Sequence, residues 1–204
     1  MYYHSVGDLT AFILAGGKST RMGADKAFLQ LEGRTLLARA LEMTHSVTQE
    51  VRVVGSAAKF SSFGNVIEDV YPERGPLGGI HAALRSAASE LNLILAVDLP
   101  FIEPRFLEYL AAQARETTAA VTVPRAGGGW QPLCAIYRRQ FASVAEQSLL
   151  QGGNKIDPLF AQVETRVVEA TELSKLGFSE NMFQNLNSPE EWAAAERQQR
   201  AKRS

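Results

Sequence analysis

A short apolar run, Leu9 to Ile13, gives way to thirteen residues, LAGGKSTRMGADK, in which three glycines stand among Lys18, Arg21 and Lys26. A run of that kind suits a strand buried on both faces. A buried strand leading straight into glycines points to an open α/β sheet with a ligand loop at its carboxyl end. Gly16 and Gly17 let the backbone approach a ligand closely, so successive N–H groups can form an anion nest with mobile cations around it. The spacing is neither the Walker pattern nor the Gly-x-Gly-x-x-Gly dinucleotide fingerprint. The loop therefore reads as a phosphate grip of another kind, the plain alternative being a glycine turn with solvated lysines.

The remaining signals alternate strand with helix. Leu37, Ala40, Leu41 and Thr44 share a helical face beyond Gly33, and Val51–Val54 and Asn65–Glu68, rich in β-branched residues, are expected as interior strands, the second ending at Asp69. DVYPERGPLGG reads as a loop, and Ile80, Ala83, Leu84, Ala87, Ala88 and Leu91 fall at helical spacing after it. Leu93–Val97 is the most apolar strand and should be central. It stops at Asp98 and Pro100, and Pro104 opens a helix with Phe106, Leu107, Leu110, Ala111 and Ala114 inward.

Ala119–Val123 and Leu133–Tyr137 flank RAGGGWQ, which reads as a hairpin or excursion and makes the sheet mixed. A helix carrying Phe141, Val144, Ala145 and Leu149 and a strand near Thr165–Val168 follow. Ser188 with Glu191 forms a capping box for a terminal helix that has Pro189 at its first position. The expected fold is α/β, a Rossmann-like three-layer α/β/α arrangement with a mostly parallel mixed sheet, in one domain over residues 1–204.

A net charge of -1 with 21% charged residues gives no basic excess for nucleic acid. No apolar run reaches the roughly 20 residues needed to span a bilayer, and MYYHSVGD lacks a secretory pattern, so a cytoplasmic protein is expected. Cys134, the lone cysteine, cannot form an internal disulfide and sits in an apolar run as a small hydrophobe. His4, His45 and His81 show no metal-ligand spacing.

The glycine loop, Asp69 and Asp98 each follow an expected strand end, and ligands of open α/β sheets gather there. Either acid alone could be a helix cap. Together with a phosphate loop they suit a nucleoside triphosphate with Mg²⁺, which takes one or two carboxylates and completes its shell with water and phosphate oxygens. Without Walker spacing, attack at the α-phosphate fits better than γ-phosphoryl transfer. Lys, Arg and Mg²⁺ would balance charge on the reacting centre and on departing pyrophosphate. On these chemical grounds Arg21 is a triphosphate clamp. A phosphate nucleophile needs no general base, being ionised already at neutral pH.

LAGGKSTRMGADK, VIEDVYPERGPLGG, AVDLPF, QPLCAIY and FQNLNSPEE, in that order, resemble the molybdenum cofactor guanylyltransferases over nearly the whole chain. The resemblance implies transfer of GMP from GTP to molybdenum-molybdopterin with release of pyrophosphate. Position by position, Leu14, Ala15, Gly16 and Gly17 would hold the nucleotide, Lys26 would contact phosphate, Asp69 would face the nucleoside, and Asp98 would bind Mg²⁺. Lys26, Arg21 and Asp98 are the expected catalytic set. Residues 8–100 would form the nucleotide-binding half and residues 101–204 the acceptor-binding half, with Gln131, Pro132, Lys155, Asn185 and Asn187 on the pterin side.

LAGG, Pro76 and Leu77 resemble the guanine-specific form rather than relatives that transfer CMP to the same pterin. GSAAKF after Val54 lacks the asparagine that the resemblance would place beside the nucleotide. Molybdenum-insertion proteins and molybdoenzyme chaperones are the implied partners. The competing expectations are transfer from CTP to the same pterin, transfer to a sugar phosphate or other phosphorylated acceptor, and a nucleotide-binding module without turnover.

Overall fold

The computed structural model describes residues 7–16, 25–186 and 191–192. β1 (Leu9–Leu14) is buried along its whole length, as its apolar run requires. A 3-10 turn, Lys26–Phe28, then leads into a hairpin of β2 (Gln30–Leu31) and β3 (Arg34–Thr35). Glu32 and Gly33 close that hairpin with φ of 54° and 77°, the left-handed pair that a tight two-residue turn demands.

α1 (Leu36–His45) is capped by the Thr35 hydroxyl, which accepts from the Ala38 N–H at 3.2 Å. β4 (Val51–Val54), α2 (Ala57–Phe60), β5 (Val66–Ile67), α3 (Gly75–Ser86), β6 (Leu91–Ala96) and α4 (Pro104–Arg115) follow. The chain continues through β7 (Val121–Ala126), β8 (Gly129–Trp130), β9 (Cys134–Arg138), α5 (Phe141–Leu150), β10 (Thr165–Val168) and α6 (Ala170–Lys175).

The main sheet has eight strands in the order β10-β7-β9-β6-β1-β4-β5, with β8 attached to β7. β1 pairs in parallel with β4 and β6, β4 with β5, and β7 with β10, whereas β9 runs antiparallel between β6 and β7. Alternate residues of the central strands feed two cores. Leu9, Ala11, Ile13, Leu93 and Leu95 meet α1 and α4 on one face, while Phe12, Leu14 and Ile94 meet α3 and α5 on the other. The result is a three-layer α/β/α fold with a mixed, mostly parallel sheet. α4 buries the five residues that its periodicity marked, and Cys134 is fully buried, its thiol pushed above the usual range by desolvation.

Three expectations need correction. β5 is a two-residue edge strand, not an interior one. Leu41 is only partly buried, and Met43 takes an inward place on α1. α3 begins at Gly75, inside the stretch read as loop, and ends at Ser86, so Ala87, Ala88 and Leu91 lie outside it. Its start is set by Gly75 at φ 63° and by Pro76 in the first turn, where a missing N–H costs nothing.

Its end is set by a buried polar cluster. The Ser89 hydroxyl donates to Thr10 Oγ1 at 2.7 Å, and the Asn92 amide donates to the Ser89, Glu90 and Tyr137 carbonyls. Those bonds turn the chain into β6, and Ala87 and Leu91 remain buried without being helical. The terminal helix expected from Ser188 lies outside the described residues except for Glu191 and Trp192, which are helical.

Candidate active site

Because β1, β4, β5 and β6 are parallel neighbours, their carboxyl ends open on one side of the sheet, and a cleft of about 650 Å³ lies there. Leu14, Ala15, Gly16, Lys26, Asp69 and Asp98 all line it. Gly17 and Arg21 lie outside the described residues, as do Lys18 and Asn187.

The floor is backbone in close contact. The Ala15 and Gly16 N–H groups both donate to the Val54 carbonyl, at 3.0 and 3.1 Å. A Cβ on Gly55 would stand 3.3 Å from Gly16 N and 2.8 Å from the Phe60 ring, so no side chain fits at residue 55. Phe60, the last residue of GSAAKF, is buried in the core and stacked on Phe28 at 5.6 Å between ring centres.

Lys26 is presented by its 3-10 turn. Asp25 Oδ1 accepts from the Ala27 N–H at 3.2 Å and caps that turn, while Asp25 Oδ2 accepts from Lys59 Nζ at 2.8 Å and ties it to α2. Lys26 Nζ reaches Asp98 Oδ2 at 3.1 Å, the two side chains being 23% and 20% exposed. Asp98 sits just past β6, and its carbonyl accepts from the Leu186 N–H at 3.3 Å. That bond brings the segment carrying the exposed Asn185 to the carboxyl end of β6.

Asp69 follows β5 and faces the first turns of α3. Its oxygens lie 3.9 and 3.7 Å from where Cβ atoms on Gly78 and Gly79 would stand, and burial raises its carboxyl pKa above the ordinary 3.8. Gly75, Pro76 and Gly79 bring the N-terminus of α3 to the cleft, where the helix dipole favours electron-rich groups. Leu77 points the other way, fully buried in the core.

The pterin-side candidates are placed less closely. Gln131 is held by its own N–H to the Pro124 carbonyl at 2.9 Å and by its amide to the Ala126 carbonyl at 3.1 Å. Two residues on, Leu133 lines the cleft, and its carbonyl accepts from the Ala96 N–H at 2.8 Å. Lys155 is exposed on the turn after α5, and neither it nor Pro132 lines the cleft. Sequence reasoning passed over Glu73, a cleft residue with φ of 65°. The ERG triplet before Pro76 was the available signal.

Among the described residues no three histidine, cysteine or acidic side chains cluster as a metal site. Asp98 is one of the cleft's carboxylates that could hold a cation, with Asp25, Asp69 and Glu73 also lining the cleft. That donor set suits Mg²⁺, which is held by one or two carboxylates with water and substrate phosphate supplying the rest.

A glycine at the end of β1 and an aspartate after its parallel neighbour β6, both lining a cleft at the carboxyl end of a mixed sheet, are the arrangement of a nucleotidyltransferase. The same fold occurs in a CMP:2-keto-3-deoxy-manno-octonic acid synthetase, at a TM-score of 0.72 and 13% identity over 96% of this chain and 100% of that one. The MobA-like NTP transferase domain family matches residues 11–166. A molybdenum cofactor guanylyltransferase of Desulfosudis oleivorans is 34% identical over 92% of this chain and 94% of its own length. The solved molybdopterin-guanine dinucleotide biosynthesis protein A of Archaeoglobus fulgidus superposes with a TM-score of 0.81 and 28% identity, over 94% of this chain and 99% of that one. The chain belongs to the MobA-like NTP transferase family.

Proposed function

We propose that this nucleotidyltransferase transfers GMP from GTP to molybdenum-molybdopterin, releasing pyrophosphate and forming the guanine dinucleotide. The observation that carries the reading is Lys26 paired with Asp98 in a cleft that Asp69 and the N-terminus of α3 also line. A terminal phosphate oxygen of the acceptor attacks the α-phosphorus. The bond from that phosphorus to the bridging oxygen breaks, and pyrophosphate leaves with the electron pair.

Leu14, Ala15, Gly16 and Gly17 hold the nucleotide. Lys26 and Arg21 balance charge on the phosphates, and Asp69 binds on the nucleoside side. Asp98 holds Mg²⁺, which when bound supplies positive charge to the reacting phosphate. Gln131, Pro132, Lys155, Asn185 and Asn187 contribute to the acceptor side. The labile pterin suits direct hand-over in the cytoplasm, the substrate coming from molybdenum-insertion proteins and the product passing to molybdoenzyme chaperones.

Pyrophosphate release with Mg²⁺ tests the reading, comparing GTP, CTP and ATP with and without molybdenum-loaded molybdopterin. Release from GTP only when the pterin is present is the expected result. Release from CTP would reassign the base, and silence with every nucleotide would remove the pterin as acceptor.

A further inference from the structure

Lys26 and Asp98 are both needed elsewhere once substrate is bound, one on phosphate and one on metal. In the structure they hold each other at 3.1 Å, with about four fifths of each side chain covered. We propose that this ion pair is a resting contact that withholds Asp98 from the metal until a nucleoside triphosphate arrives, so that metal and nucleotide bind as a coupled pair. The inference rests on the assignment of Asp98 as metal ligand made above.

Without nucleotide, a divalent cation meets a poor site. Among the described residues Asp98 has no companions that complete a cluster of three ligand side chains, and its charge is already balanced by an ammonium in contact. A cation entering there must displace Lys26 and then bear repulsion from it at short range. Partial burial strengthens both terms relative to a surface pair.

A triphosphate changes both sides of this balance. It offers oxyanions to Lys26, which can leave Asp98 without losing a partner, and it offers the cation the further oxygen ligands that the protein does not supply. Linkage is reciprocal, so a nucleotide that promotes metal binding is itself held more tightly by the metal, by the same factor. The cleft thereby avoids holding a bare divalent ion.

Mn²⁺ serves as the probe, its binding read by electron paramagnetic resonance and water-proton relaxation with and without GTP. The proteins are the wild type, Lys26→Met and Asp98→Asn, with folding checked by circular dichroism. The wild type should bind Mn²⁺ weakly alone and more tightly with GTP. Lys26→Met, which keeps an apolar stem and loses the charge, should tighten nucleotide-free Mn²⁺ binding roughly fivefold, the upper end for a partly exposed ion pair. It should also narrow the gain on adding GTP, and Lys26→Gln should move both quantities in the same direction.

Unchanged or weaker nucleotide-free binding in both lysine variants would overturn the resting contact, while leaving Asp98 as ligand if Asp98→Asn still loses the GTP-dependent binding. Wild-type Mn²⁺ binding by Asp98→Asn in the presence of GTP would instead remove the metal assignment, and this inference with it.

Discussion

At the scale of single residues, Asp69 shows how binding and stability pull apart. Its carboxyl is half-buried against the first turns of α3, and desolvation raises its pKa above the ordinary 3.8. A folded pKa above the unfolded one contributes stability below the unfolded value and loses it as pH rises through the folded value. At neutral pH the ionised Asp69 therefore weighs against folding. Asp69→Asn should melt higher than the wild type at pH 7, with the gain shrinking as pH falls toward and below 3.8, and it should bind GTP more weakly. Melting curves across pH and a GTP titration check both halves; a lower melting temperature at pH 7 would contradict the first. Gly55 gives the opposite case, a residue whose lack of a side chain the packing requires. Its Cβ would press into the Phe60 ring at 2.8 Å, and that ring is 1% exposed and stacked on Phe28. Gly55→Ala should cost about 1–3 kcal/mol, as overpacking does, and shift Gly16 enough to weaken GTP binding. Denaturant unfolding with GTP titration would show both effects together.

Among the elements, α4 was fully legible and α3 only in part, for different physical reasons. The apolar face of α4 lies wholly against one core, so burial and periodicity coincide. In α3 the periodicity ran on through Ala87 to Leu91, and those two are indeed buried, but bonds from Ser89 and Asn92 to β1, β9 and the turn end the helix first. Contacts with residues 79 and 45 positions away are invisible to a local pattern. His81 on the same helix showed no metal-ligand spacing in the sequence, and its burial was not legible there. It is 1% exposed, neither ring nitrogen has a hydrogen bond, Tyr71 meets it edge-on at 5.2 Å, and Glu146 of α5 approaches only to 3.6 Å. Burial lowers its pKa, with Glu146 opposing and Arg85 assisting. The unfolded chain then takes up the proton first, so stability is full above the ordinary 6.5 and falls as pH drops from there toward the folded value. Unfolding free energies at pH 7.5 and 5.5 should show this loss. His81→Phe, which keeps a ring beside Tyr71, should flatten it; an equal loss in the variant would place its origin elsewhere.

For the molecule as a whole, the sheet order explains why the site could be read before the fold was known in detail. Leu14 to Gly16, Asp69 and Asp98 stand at the carboxyl ends of β1, β5 and β6, which with β4 form one run of parallel strands, and each acid was visible as a polar stop after an expected strand. What could not be read was the distance between them, because β1 and β6 are joined by paired backbones and not by any sequence pattern. The cleft residues span from Leu14 to Leu133 and draw on both cores, so a ligand that fills the cleft ties the β1–β4–β5 edge to the β6–β9 centre. Binding of that kind stabilises the folded chain by mass action. With GTP and Mg²⁺ at about a hundred times the dissociation constant, the gain is about 2.7 kcal/mol. For a chain of 204 residues that corresponds to a rise of roughly 5–10 °C in melting temperature. Asp98→Asn should keep the part of the shift that GTP gives in the presence of a chelator and lose the part that Mg²⁺ adds. Thermal melts of both proteins in four conditions, with and without GTP and with Mg²⁺ or chelator, separate the two parts. An identical Mg²⁺ increment in the variant would mean that the metal is held by the nucleotide alone, and that the carboxylate at the end of β6 serves only to position Lys26.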